Sequence, residues 1–183
     1  MRTVIHSMSV SLDGYVNGPD GTFDWSAPDT ELHQFHNDRT RGLAAQLCGR
    51  RLYETMVYWD GDDDARDAVA DDFAELWRPI PKIVFSSTLT DDQLGPNARL
   101  ATASAADEIR AIEDGRVGVG GPTLAGELTA HGLIDEYHVF VIPVIVGGGT
   151  PYLSPGAPFT KLELVDQRSF AQGVTHLRYH RVN

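Results

Sequence analysis

The sequence predicts an α/β domain with a mainly parallel central sheet, flanked by helices and finished by an antiparallel hairpin. Three observations carry this. Strand-like apolar runs alternate with helix-like periodic segments along most of the chain, the order that builds a helix-covered parallel sheet. At Val117-Gly-Val-Gly-Gly-Pro-Thr-Leu-Ala-Gly-Glu-Leu128 a strand pattern ends in paired glycines and a helix pattern opens at once. Near the end, Lys161 to Ser169 and Val174 to Val182 pair naturally as strands around Ala171-Gln-Gly173.

Each element has its own signal. Thr3 to Val10 reads as a mostly buried first strand. Ser11 to Gly21 is rich in glycine, Asp and Asn and reads as a loop continuing through Phe23, Asp24 and Trp25. Such a loop serves as a lid or as plain surface. Pro28, Asp29 and Glu31 mark a helix start, and the helix runs to about Arg41 with Leu32, Phe35 and His36 facing inward. Leu43 to Cys48 is a short strand that runs into a second glycine-led helix, Gly49 to Met56. Asp60 to Asp67 is an acidic loop that reads as solvated surface and lacks the spacing of a calcium loop. Val69, Phe73, Leu76 and Trp77 fall at helical spacing, and Pro79 and Pro81 end that helix. Lys82 to Ser87 is the next strand, and Ser104 caps a helix with Ile109 and Ile112 inward. After the glycine-pair helix, which ends at Gly132, Tyr137 to Val146 reads as a long apolar strand in which Pro143 predicts a bulge or an edge.

Composition narrows the function. The 183 residues suit one domain, 1–183, with a substantial core; no internal repeat, linker or low-complexity tract interrupts it. A net charge of −11 argues against nucleic acid as a partner. No apolar run is long enough to span a bilayer, and the start of the chain carries no signal-peptide pattern, so a cytoplasmic location is expected. The single cysteine, Cys48, excludes an internal disulfide and a cysteine-rich metal site. His33 and His36 stand one turn apart, but no third ligand accompanies them and no metal is expected.

The glycine pair carries the first chemical hint. Residues without Cβ let a backbone approach a ligand closely, and a helix start aims free N–H groups at the same spot. The spacing fits neither the Rossmann nor the Walker pattern, and it equally suits a tight ligand-free turn.

Three separated segments together resemble dihydrofolate reductases: Leu47-Cys-Gly-Arg-Arg-Leu-Tyr-Glu-Thr-Met56, Lys82-Ile-Val-Phe-Ser-Ser87 and Val117 to Leu128. Ser11-Leu-Asp-Gly-Tyr-Val-Asn-Gly18, Gly132-Leu-Ile-Asp-Glu136, Pro143 and Gly147-Gly-Gly-Thr-Pro151 are closer to the reductase domain of bacterial riboflavin biosynthesis and its small stand-alone relatives. The resemblance covers essentially the whole chain. It implies an NADPH-dependent reductase on a dihydrofolate reductase-like fold, a small heterocyclic or carbonyl substrate (pteridine-, pyrimidine- or flavin-precursor-like), and a homodimer.

By that resemblance Gly49, Arg50 and Arg51 meet the cofactor phosphates. Ser86 and Ser87 lie by the 2′-phosphate. Gly120, Gly121, Thr123 and Leu124 wrap the pyrophosphate, and Met8, Ser9, Val16 and Asn17 border the nicotinamide. A carboxylate near the start of the first helix orients substrate in dihydrofolate reductases, and Asp29 and Glu31 occupy that region as the catalytic candidates. Trp25 and His36 are candidates for the substrate pocket. The residue types suit these roles, since guanidinium forks and serine hydroxyls both donate to phosphate. Asp29 also fits a purely dipole-stabilising role, Arg50 and Arg51 a solvated helix start, and Ser86–Ser87 a polar strand end. The second functional reading is a non-catalytic nucleotide-binding or regulatory protein that keeps the fold. A third is a dimer module built on the Tyr137-to-Val146 strand.

Overall fold

Strand β1 (Arg2–Ser11) sits in the middle of the sheet, flanked by two parallel neighbours, β5 (Gly115–Gly120) and β6 (Glu136–Ile142). The computed structural model describes residues 1–182. Beyond β5 lie β2 (Leu43–Gly49), β3 (Lys82–Phe85) and β4 (Ala98–Leu100), all parallel. Beyond β6 lie β8 (Thr175–Arg181) and then β7 (Leu162–Ser169), both paired antiparallel. The spatial order is therefore β4-β3-β2-β5-β1-β6-β8-β7. The expected α/β class, mainly parallel sheet and terminal hairpin are all present.

Five helices clothe the sheet: α1 (Thr30–Thr40), α2 (Arg50–Met56), α3 (Ala68–Trp77), α4 (Ala105–Ala111) and α5 (Pro122–Ala130). One face buries Val4, Leu47, Val117 and Val119 against Ile109 of α4 and Leu128 of α5. The other packs Phe140, Phe170 and Val174 against Leu32 and Phe35 of α1. Each such apolar side chain stabilises the fold by about 1.5–3 kcal/mol when fully buried.

The helix starts fall into two groups. Asp29 caps α1 by accepting from Leu32 N at 2.9 Å, Asp67 caps α3 through Ala70 N at 2.9 Å, and Ser104 caps α4 through Asp107 N at 3.2 Å. Gly49 and Gly121 stand at the cap positions of α2 and α5 and supply no side-chain oxygen. At the other end of α3, Lys82 is fully buried and donates to Trp77 O at 3.0 Å and Arg78 O at 3.2 Å, with Asp60 at 3.5 Å. A cation at a helix C-terminus answers carbonyls the helix leaves free.

Three local expectations change. Pro143 produces neither a bulge nor an edge; β6 simply stops at Ile142, because proline lacks the N–H the next ladder step needs. Strand β3 stops at Phe85, and Ser86 opens a turn by accepting from Thr88 N and Leu89 N. The three-residue β4 carries no periodic signal in the sequence.

Candidate active site

The carboxyl ends of β3, β2 and β5 lie side by side. Gly49 is in register with Phe85, and Cys48 with Gly120. This places Ser86 and Ser87, Gly49 and Arg50, and Gly120 and Gly121 on one edge of the sheet, where open α/β sheets take their ligands. A Cβ on Gly121 would come within 4.0 Å of the Gly49 amide nitrogen, so the starts of α2 and α5 are adjacent. Gly121 has φ +100°, a conformation that L side chains rarely adopt. Strand β1 last pairs with β5 at His6–Val119, so Met8 and Ser9 run on past the end of β5.

Individual residues at this edge differ in what they offer. Ser87, Arg50, Arg51 and Thr123 are exposed. Arg50 holds Glu54 at 3.0 Å, one turn along its own helix. Leu124 is buried in the core, so only its backbone is available to a ligand. Gly120 has a packing reason of its own: a Cβ there would lie 2.0 Å from Leu52 Cδ2 of α2.

The loop after β1 is tied to the loop after β6. Leu12 N donates to Val144 O and Val16 N to Thr150 O, both at 2.8 Å. Asn17 Oδ1 accepts from Thr150 N at 2.8 Å, and Asp13 accepts from Gly147 N at 2.8 Å. Asp13 thus holds the triple-glycine loop, and Ser11 Oγ instead receives Tyr15 N within the tight turn. A Cβ on Gly149 would lie 2.0 Å from Asn17 O, which explains a glycine there.

Between α1 and the sheet lies a cavity of about 110 Å³. Ile5 and Ser7 of β1, Gly118 of β5 and Gln46 of β2 border it from the sheet; His36, Arg39 and Thr40 border it from α1, and Leu43 and Arg116 complete it. A Cβ on Gly118 would sit 2.0 Å from Gln46 Oε1, so this glycine lets the Gln46 amide lie across β5. A larger hollow of about 320 Å³ opens at the amino ends of β2, β3 and β4, lined mainly by apolar groups with few convergent polar ones.

The expected first-helix carboxylates lie elsewhere. Asp29 is occupied as the α1 cap, and Glu31 pairs with Arg168 of β7 at 2.8 Å on the surface. Among the described residues, no carboxylate lines the cavity. Trp25 packs against the cluster of Leu32, Phe140 and Phe170. His36 does border the cavity, its ring tilted by 50° against Phe140 at 4.5 Å between ring centres.

A polar network that the sequence reading missed backs this cavity. Arg39 donates to His138 Nδ1 and reaches His176 Nε2 at 3.4 Å. His138 Nε2 meets Glu136 Oε2 at 2.8 Å, and Arg178 clamps Glu136 at 2.9 and 3.1 Å. Burial lowers the His36 imidazole to about 3, His138 to about 4 and His176 to about 3, so all three are neutral near pH 7. Burial raises Glu136, but hydrogen bonds from His138 and Arg178 outweigh it and bring it to about 2. Burial and the neighbouring Arg116 lower Arg39 to about 10, which still leaves it charged. The available signal was period-two spacing: Glu136 and His138 share one face of β6, and His176, Arg178 and His180 share one face of β8.

Known proteins share this fold. A riboflavin biosynthesis protein from Shewanella sp. PV-4 superposes with a TM-score of 0.73 at 19% identity, covering 99% of each chain. Dihydrofolate reductase from Enterococcus faecalis, in a complex with NADP(H), superposes with a TM-score of 0.62 at 14% identity, covering 99% of this chain and 97% of its own. Among sequences, YyaP of Bacillus subtilis is 26% identical over 98% of this chain and 95% of its own length. YwjB of the same organism is 27% identical over 98% of each. The profile of the RibD C-terminal domain matches residues 2–176, and with the dihydrofolate reductase-like fold already in view, the chain belongs to the RibD C-terminal domain family.

Proposed function

We propose that this protein is an NADPH-dependent reductase of a small heterocyclic or carbonyl compound carrying an anionic group. One observation supports it above the others. Three helices close their own starts with Asp or Ser, whereas the two that begin side by side at the carboxyl edge begin with glycine. Two adjacent helix starts with unclaimed N–H groups suit a pyrophosphate, and the absence of a Cβ at Gly121 leaves room for it.

NADPH, when bound, supplies a hydride. The chain's own part is to hold and orient. In this reading Gly49, Arg50, Arg51, Gly120, Gly121 and the Thr123–Leu124 backbone take the phosphates, and Ser86 and Ser87 take the 2′-phosphate. Met8, Ser9, Val16 and Asn17 border the nicotinamide. Substrate would approach from the α1 side, where the cavity lies against Ile5 and Ser7 of β1 and Gly118 of β5. Arg39 and Arg116 face the cavity with no carboxylate between them, which favours a phosphate or carboxylate on the substrate. The proton completing the reduction would come from water, because among the described residues no acidic side chain lines the cavity.

That same lack of an acid favours the second reading, a nucleotide-binding protein without turnover. NADPH oxidation with any member of a pteridine, pyrimidine and quinone panel rules it out. We further propose a homodimer. Strand β7 is exposed along all eight residues and presents Leu162, Leu164 and Val165 at an open edge, an arrangement that suits a second copy. Light scattering at twice the chain mass supports this, and a monomer at 100 micromolar ends it.

Calorimetry tests the cofactor assignment. The parent binds NADPH, and Ser87→Glu weakens NADPH about tenfold, roughly 1.4 kcal/mol, while leaving NADH unchanged. Equal loss for both cofactors, or no NADPH binding at millimolar concentration, contradicts it.

A further inference from the structure

The Arg39 guanidinium is held in an unusual way. Its polar contacts are two imidazoles, His138 Nδ1 and His176 Nε2, and no carboxylate. The chain has 26 acidic residues against 15 Lys and Arg, so carboxylates are not scarce. The nearby carboxylate, Glu136, stands one residue removed: it binds His138, Arg178 at 2.9 Å and His180 at 3.2 Å. The second guanidinium of the cavity, Arg116, has a backbone carbonyl, Arg41 O, at 3.5 Å.

The chemistry explains the arrangement. A carboxylate placed directly on Arg39 would orient it and also neutralise it. A neutral imidazole accepts its N–H and leaves the charge available. Glu136 accepts from His138 Nε2, which puts the proton there and the lone pair on Nδ1, an atom that faces both Arg39 and His176 Nε2, the latter at 3.2 Å. Without that lock, the other tautomer would turn an N–H against the guanidinium. At about 30 Å³ per water the cavity has room for three or four waters, which suits a phosphate or carboxylate group and not a whole dinucleotide.

We propose that Glu136 and His138 are positioning residues: they hold Arg39 as an oriented, unneutralised cation that receives the anionic group of the substrate. This rests on the reading of the α1 cavity as the substrate site. Charged and titratable groups around His138 come from three elements: His36 and Arg39 of α1, Glu136 of β6, and His176, Arg178 and His180 of β8. Two imidazoles in the same cluster, His36 and His176, both pack against Phe140 and share the neutral state that the arrangement needs.

The test uses the full chain, with inorganic phosphate and acetate as separate probes titrated by calorimetry, and four variants. His138→Gln keeps a neutral acceptor and stays within about threefold of the parent. His138→Glu sets a carboxylate on Arg39 and weakens the preferred probe at least tenfold. Glu136→Gln falls between them. Arg39→Met defines the site and loses binding. Tighter phosphate binding identifies a phosphorylated substrate, and tighter acetate binding a carboxylated one.

Nitrogen NMR of the parent gives a readout that a merely structural role would not move. His138 shows the Nε2–H tautomer at pH 7, and Glu136→Gln shifts the population toward Nδ1–H. If His138→Glu does not fold, Glu136→Gln and the NMR tautomer decide. A folded His138→Glu that binds as tightly as the parent, an Nδ1–H tautomer in the parent, or a parent that binds neither probe overturns the proposal. Loss in Arg39→Met without loss in His138→Glu defeats the positioning role alone. An unaffected Arg39→Met defeats the cavity reading, and NADPH titration of the same samples reports separately on the reductase reading.

Discussion

In the proposed reading the glycine edge and the α1 cavity recognise charge by opposite means. At the edge, Gly49 and Gly121 supply no capping side chain, which would leave backbone N–H groups free for a ligand. In the cavity, Gly118 makes room for the Gln46 amide and two long arginines bring the charge. Backbone dipoles keep their charge at any working pH. The arginine site leans on neutral imidazoles, so it inherits their titration. The two regions should therefore separate under pH and under mutation.

The largest separation is expected in stability against pH. His36, His138 and His176 stay neutral in the folded protein down to about 3, 4 and 3, while an unfolded histidine takes its proton near 6.5. Between those values the unfolded chain binds more protons, so stability is full above about pH 6.5 and falls as pH drops. Each imidazole contributes a slope of up to about 1.4 kcal/mol per pH unit, several kcal/mol in all by pH 4. Glu136 and Glu108, both lowered from 4.5 to about 2, add their loss as pH falls through that interval. Urea midpoints from pH 7 to 4 check this, and a flat profile contradicts the buried network. Changes at the glycine edge should leave the profile's shape untouched.

Gly121→Ala comes next. Its φ of +100° predicts a loss of about 1–2 kcal/mol from the left-handed strain alone, and the added methyl points toward Gly49. NADPH affinity should fall tenfold or more while phosphate binding in the cavity is retained. Equal loss at both sites would merge the two regions into one. The smallest effect belongs to Arg50→Ala. This exposed side chain pairs only with Glu54, so stability should change by less than about 0.5 kcal/mol. NADPH binding should weaken about fivefold, more at low salt than at high.

The two regions also differed in how far the sequence exposed them. The edge is built from contiguous motifs that each sit at a strand end, Cys48-Gly49-Arg50, Phe85-Ser86-Ser87 and Gly120-Gly121, and strand order alone then aligns them. Their convergence could be anticipated, as could the caps at Asp29 and Ser104. The cavity could not be read in the same way. Arg39, Arg116, Glu136, His138 and His176 come from four elements that are distant in sequence, and only the packing of α1 across β6 and β8 joins them. Asp29 and Glu31 stand at the first-helix position the sequence points to, and in the fold they make a helix cap and a surface ion pair. Pro143 looked like an irregularity within a strand because the apolar run continues to Val146, although the ladder had already ended.

We propose that three strand ends hold one dinucleotide, and a crystal grown with NADPH tests this. One cofactor is expected per chain, with its pyrophosphate between Gly49 and Gly121, its 2′-phosphate at Ser86 and Ser87, and its nicotinamide beside Met8 and Ser9, opening toward Arg39. A cofactor bound away from that edge, or no density at saturating NADPH, would contradict it.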